Sequence, residues 1–141
     1  MTQAGAIPFR KMNGLGNDFV VLDGRARAVS MDDRRARAIA DRKTGIGCDQ
    51  LLVLEKSDVA DVKMRIWNNG GGEVESCGNG TRCVADLIFE EKQANAATID
   101  TLGGLLLAGC HVRDEAPIVA HRVRKAALAG CKVSLLANGS F

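Results

Sequence analysis

The chain has 141 residues, 46% of them hydrophobic and 26% charged, with a formal net charge of +2. That length suits one domain with a short tail, the charged fraction is that of a globular protein, and no apolar run approaches the roughly 18 residues of a membrane span. The near balance of charge points away from nucleic acid and lipid surfaces, and Met1 to Ala6 hold no signal-peptide pattern; with five cysteines, an odd number, reduced thiols in a cytoplasm are expected rather than a disulfide scaffold.

In chain order, Phe9 to Met12 and Asp18 to Leu22 read as short strands around a turn at residues 13–17. Phe19-Val20-Val21-Leu22 is apolar throughout, as in a strand covered on both faces. Ser30 is placed to cap a helix from about Met31 to Asp41, with Asp32 and Asp33 in its first turn. Arg34, Arg35 and Arg37 then form a solvated face. Gly45-Ile46-Gly47 is a turn, and Leu51 to Leu54 is a second buried run. Val62 to Trp67 alternates, so one face is buried. Asn68-Asn69-Gly70-Gly71-Gly72 closes that strand, and Glu73 to Glu75 is a short strand at most.

Cys77-Gly78-Asn79-Gly80 precedes a helix predicted over Thr81 to Glu91, whose Val84, Ala85, Leu87, Ile88 and Phe89 cover most of its circumference. A helix apolar on so many sides is buried. Thr98 to Thr101 and Leu105 to Leu107 form a hairpin turned by Gly103-Gly104. Short strands about one buried helix indicate an α+β domain with a curled mixed sheet. Beyond Leu107 the character changes: residues 1–107 hold fourteen basic and fifteen acidic side chains, and residues 108–141 hold five and two.

Cys77 is the sharpest candidate for chemistry. A helix N-terminus presents unpaired N–H groups and about half a positive charge, which favours a thiolate and a bound anion. Glycines at 78 and 80 let a ligand approach the backbone, so one stretch offers a sulfur and a carboxylate nest; the alternative is an inert core cysteine. Cys83 and Cys48 read as core. Cys110-His111, His121 and Cys131 match no metal spacing, so no metal site is expected. Asn17, Gln50 and Asn68 are neutral amides beside turns, able to bind amino and carboxylate groups or simply to serve those turns.

Together these segments resemble the N-terminal half of diaminopimelate epimerase. The resemblance rests on Lys11-Met12-Asn13-Gly14-Leu15-Gly16-Asn17-Asp18-Phe19, on Gly45-Ile46-Gly47-Cys48-Asp49-Gln50-Leu51-Leu52, on Met64-Arg65-Ile66-Trp67-Asn68, on residues 72–83 around Cys77, and on Thr101-Leu102-Gly103-Gly104-Leu105. It spans roughly residues 7–107. It implies two similar domains, each a curled sheet around a central helix, and a cleft in which a cysteine from each domain faces one side of the substrate α-carbon. One thiolate removes the α-proton and the other thiol returns one to the opposite face, interconverting LL- and meso-diaminopimelate without a cofactor, on the route to lysine. By resemblance Cys77 is one of the two acid/base residues, Asn17, Gln50 and Asn68 bind substrate, and Gly78-Asn79 hold the α-carboxylate. The implied partner is the small-molecule substrate, with a homodimer in the full-length family.

Two departures stand out. The family's Asn-Ala-Asp-Gly loop is here Asn68-Asn69-Gly70-Gly71-Gly72, which is expected to loosen it. The family is about twice as long, and neither Gly109-Cys110-His111 nor Gly130-Cys131-Lys132 matches its second Cys-Gly-Thr-Gly-like motif. Residues 1–107 are therefore expected to form the epimerase-like domain, and residues 108–141 an unmatched basic tail, disordered or out of frame. The expected product is a truncated epimerase inactive on its own; the alternative is a non-catalytic, substrate-binding remnant.

Overall fold

Among the described residues, strands and helices follow one another in an order that already contains two strand–helix–strand crossovers. In the computed structural model, which describes residues 5–109, 124–125, 127–130 and 132–137, these are β1 (Phe9–Gly14), β2 (Asn17–Asp23), α1 (Asp33–Ala40), β3 (Gln50–Glu55), β4 (Val62–Asn68), β5 (Glu73–Val74), α2 (Gly78–Lys92), β6 (Ala96–Thr101), β7 (Gly104–Gly109) and β8 (Val133–Ala137). One mixed sheet runs β1-β2-β3-β4-β6-β7-β8, with β5 paired to β4. The pairs β2–β3, β4–β6 and β7–β8 are parallel, and the rest are antiparallel.

The continuous apolar runs have the cause expected of them: both sheet faces are covered. Phe19, Val21, Leu52, Leu54, Met64 and Ile66 face α2 and pack with Cys83, Val84, Leu87 and Ile88. Val20, Leu22, Leu51, Val53 and Trp67 face the other way, against Ala36 and Ala40 of α1 and against Cys48. Each such aliphatic side chain contributes roughly 1.5–3 kcal/mol on burial. The sheet curls about α2, which packs on β1 at one end of the strand order and on β6 and β7 near the other. Only Gly78, Arg82, Asp86 and the positions from Glu90 onward leave α2 exposed, a narrow strip of polar character. No helix among the described residues is long and apolar enough to cross a membrane.

Two boundaries differ from the sequence reading. The cap of α1 is Asp32, not Ser30: its carboxylate accepts the Arg35 N–H at 2.7 Å, which satisfies an orphan donor and sets a negative charge at the helix's positive end. Arg34, Arg35 and Arg37 are all exposed, as the sequence reading expected, and from that face Arg37 donates to the Gly70 carbonyl at 2.9 Å. Helix α2 begins three residues earlier than predicted, because Cys77 itself is the cap. Two turns are also tighter than their glycine pattern suggested. Leu15-Gly16 alone joins β1 to β2, both at positive φ (50° and 88°), and Leu102-Gly103 joins β6 to β7.

The sheet continues beyond residue 107. Strand β7 ends at Gly109, and β8, within the 108–141 segment, pairs with it from Leu105↔Val133 to Gly109↔Ala137. Most of the predicted tail, including Cys110, His111, His121 and Cys131, lies outside the described residues.

Candidate active site

The parallel pairing of β2 with β3, and the antiparallel pairing of β3 with β4, place the start of β2, the start of β3 and the end of β4 at one end of the sheet. Asn17 opens β2, Gln50 opens β3 and Asn68 closes β4. Gln50 and Asn68 are register partners, and Gln50 Nε2 donates to Asn68 Oδ1 at 2.9 Å. The N-terminus of α2 comes to the same end, where Asn79 Nδ2 donates to Asn17 Oδ1 at 2.9 Å. The structure thus brings together Asn17, Gln50, Asn68, Cys77, Gly78 and Asn79, which are spread over sixty residues of chain.

Cys77 is the N-cap of α2, with extended backbone at φ −150° and ψ 112°. Its Sγ accepts the Gly80 N–H at 3.3 Å, and its carbonyl accepts the Thr81 N–H at 2.9 Å and the Thr81 hydroxyl at 2.8 Å. The sulfur therefore sits on the helix axis's positive end, held by a backbone donor, and the residue is half-buried. The N–H groups of Gly78 and Asn79, in the first turn, have no acceptor within the helix and remain available to an anion. A Cβ built at Gly78 would meet nothing within 4 Å, so the protein's own packing does not require glycine there. At Gly80 a Cβ would lie 3.3 Å from Leu52 and 3.4 Å from the Cys77 sulfur, so that glycine seats the helix end on the sheet.

The other described cysteines differ in kind. Cys48 is fully buried in the α1-side core and Cys83 is 4% exposed in the α2-side core. Burial pushes both thiols up, away from thiolate formation. Among the described residues no cluster of histidine, cysteine and carboxylate is placed to hold a metal ion.

The Asn68 loop is not loosened by its three glycines, contrary to the sequence reading. Gly71 is buried at φ 98°, and a Cβ there would lie 2.4 Å from the Asp33 carbonyl oxygen. Arg37 holds the Gly70 carbonyl, and the loop closes on itself through Asn68 N–H to Gly72 O and Gly71 N–H to Asn68 O, both 2.9 Å. The glycine conformation and the close approach to α1 fix the loop.

A group of charges that sequence reasoning passed over lies behind the amides. Arg42 reaches Asp18 Oδ1 at 2.7 Å and Oδ2 at 3.0 Å, and Asp49 Oδ1 at 2.9 Å. Lys11 reaches Asp18 Oδ2 at 2.7 Å and also bonds the Gly47 carbonyl. The guanidinium, then the ammonium, hold the Asp18 carboxyl well below the usual carboxylate range, and Arg42 is raised in return. The signal was present in the motifs, since Lys11, Asp18 and Asp49 flank the glycine turns, but their pairing across β1, β2 and β3 is a tertiary fact.

Comparison with known proteins gives the same direction. A family model described as diaminopimelate epimerase matches residues 9–125, past the limit of the motif resemblance. The diaminopimelate epimerase of Sphingopyxis alaskensis is 62% identical over 98 residues, covering 70% of this chain and 35% of that protein. Those of Rhizorhabdus wittichii and Erythrobacter litoralis are 59% and 55% identical over 101 residues, each covering 71% of this chain and 35% and 36% of those proteins. The chain spans about a third of the length of these curated relatives. Among solved structures, a phenazine biosynthesis protein of the PhzF family from Enterococcus faecalis superposes with TM-score 0.58 at 14% identity, over 74% of this chain and 40% of that one. A putative PhzC/PhzF protein from Clostridium difficile gives 0.54 at 17%, over 72% and 39%. At those identities the likeness speaks for the fold alone.

Proposed function

The chain belongs to the diaminopimelate epimerase family, and from that premise we propose that it carries one half of the reacting centre of a cofactor-independent epimerase acting on diaminopimelate, with Cys77 as one of two acid/base residues. The observation that carries this reading is the position of the Cys77 sulfur at the N-terminus of α2, beside free N–H groups and amides gathered from three strands.

The chemistry follows from that geometry. A Cys77 thiolate takes the α-proton: the C–H bond breaks, an S–H bond forms, and the electron pair spreads into the α-carboxylate. Gly78 and Asn79 N–H groups at the positive end of α2 meet that charge as it develops. Asn17, Gln50 and Asn68 supply neutral donors and acceptors for the remainder of the substrate without adding charge. Inversion needs a second proton donor on the opposite face. Cys-Gly-x-Gly occurs once in the 141 residues, at Cys77. The chain alone is therefore a very poor epimerase: it returns the proton to the face it came from and retains configuration. The reading includes a cytoplasmic location, binding of a small molecule rather than nucleic acid or membrane, and a homodimer in full-length relatives.

Incubation with LL-diaminopimelate in deuterium oxide, followed by mass and chiral analysis, tests this. Slow α-deuteration without the meso isomer, lost in Cys77→Ala, is expected. Equal deuteration in Cys77→Ala removes the role of Cys77. Conversion to the meso isomer at about 1 per second or faster, an ordinary enzyme rate, means that a second base reaches the other face. Binding with no exchange at all favours the non-catalytic remnant.

A further inference from the structure

Asp49 stands where the amides of the site meet, and acid/base chemistry at Cys77 gives it no task. Its Oδ2 accepts from Asn17 Nδ2 at 3.4 Å and from the Asp18 N–H at 3.0 Å, while Oδ1 accepts from Arg42 at 2.9 Å. Its N–H donates to Asp18 Oδ1 at 2.9 Å, and its carbonyl accepts the Asn69 N–H at 3.1 Å. It directly precedes Gln50. One residue thus touches the turn before Phe19, the start of β3 and the loop after Asn68.

Three donors surround this carboxylate, and a carboxylate accepts without donating. An asparagine amide has one accepting and one donating branch, so its direction is open until a neighbour of fixed character decides it. Here Asp49 decides it. Asn17 must turn Nδ2 to Asp49, which leaves Oδ1 as its other branch; Oδ1 then accepts Asn79 Nδ2 at 2.9 Å. Asn79, in the first turn of α2, in turn has its Oδ1 on the branch not bonded to Asn17.

We propose that Asp49 is a positioning residue, locked by Arg42 and Asp18, that fixes the hydrogen-bond direction of Asn17 and, through it, of Asn79. The helix mouth then offers an accepting amide oxygen beside donating backbone N–H groups, a pairing suited to the ammonium and carboxylate of a zwitterion. With the direction reversed, Asn79 would add a further donor to a cluster of donors. The choice of ligand rests on the epimerase reading; the amide direction does not.

The test uses the ¹⁵N-labelled chain without ligand, following the side-chain NH2 signals of Asn17 and Asn79, and then a titration with diaminopimelate. In Asp49→Asn, which keeps the shape but can present either branch, both NH2 signals are expected to shift and their protection from exchange to fall about two- to tenfold, the scale of one ordinary hydrogen bond. Asp49→Glu, still an acceptor only, should hold Asn79 closer to the parent. Diaminopimelate affinity should fall about two- to tenfold in Asp49→Asn on the same scale. Should Asp49→Asn not fold, Asn17→Ala breaks the same chain beyond the charge cluster and must free the Asn79 NH2. An Asn79 signal unchanged in the folded variants overturns the proposal, because Asp49 does not touch Asn79 and would then only brace the loop. Failure of the parent to bind diaminopimelate counts against the epimerase reading, while the ligand-free amide signals still decide this one.

Discussion

Single atoms separate residues that look alike in the sequence. The three described cysteines are one half-buried cap and two core thiols, so Cys77 should be alkylated about tenfold or more faster than Cys48 and Cys83 at neutral pH, as exposure and thiolate access dictate. Mapping after limiting iodoacetamide checks this, and labelling of Cys83 first in folded protein would reverse the assignment. The glycines divide in the same way. Gly78 has open space where its side chain would be, so Gly78→Ala should leave the melting temperature unchanged while diaminopimelate binding weakens. Gly71 has a left-handed backbone against the Asp33 carbonyl, so Gly71→Ala should cost about 1–3 kcal/mol in stability. Thermal melts of the pair, with a ligand titration, distinguish a glycine kept for a ligand from one kept for the fold.

Among the elements, α2 carries both the core and the site. Its Leu87 is 7% exposed in the cluster with Phe19, Leu54 and Ile88, and the same helix ends at Cys77. Leu87→Asp buries a charge without a partner and should cost about 3–5 kcal/mol, enough to unfold a marginal domain. A circular-dichroism melt like the parent's would show that α2 is not held by that core. At its far end Gln93 adopts the left-handed conformation (φ 51°) and its N–H caps the Phe89 carbonyl, ending the helix without glycine. Helix α1 shows a different economy: it is short, amphipathic and half exposed, yet its Asp33 carbonyl and Arg37 side chain shape the loop that presents Asn68.

Over the whole molecule, several carboxylates are tied to cations across elements. Arg42 and Lys11 hold Asp18 low, Arg25 holds Asp23 and Glu91 low, and Lys92 with Thr98 holds Asp61 low against its burial. In each case the folded state releases its proton more readily than the unfolded chain. Their contribution is complete above the unfolded carboxylate range near pH 4 and drains away as the pH falls through the folded values. The melting temperature should therefore be flat near neutrality and drop below about pH 4. Asp18→Asn, which gives up the charge that Arg42 and Lys11 share, should lower the neutral-pH melting temperature and flatten the acid limb. A parallel downward shift at all pH values would show that Asp18 does not contribute through its charge.

The sequence by itself determined the local periods and named the residues of the candidate site. Unbroken apolar runs at Phe19–Leu22 and Leu51–Leu54 read as strands covered twice, and the glycine-flanked cysteine before an apolar helix made Cys77 the candidate, because side-chain period and helix-end chemistry act over a few residues. Only the tertiary structure decided that Asn17, Gln50 and Asn68 share one end of the sheet, since that depends on which strands pair parallel and in what register. It also decided that Asp32 rather than Ser30 caps α1, and that a glycine-rich loop is held rather than loose. The same is true of the Lys11–Asp18–Arg42–Asp49 group behind the amides, whose charges carry no joint signal along the sequence until the fold brings β1, β2 and the residues that follow α1 within hydrogen-bond distance. Charge pairing across elements leaves no periodic trace along a chain; it exists only once the backbone has closed the distance.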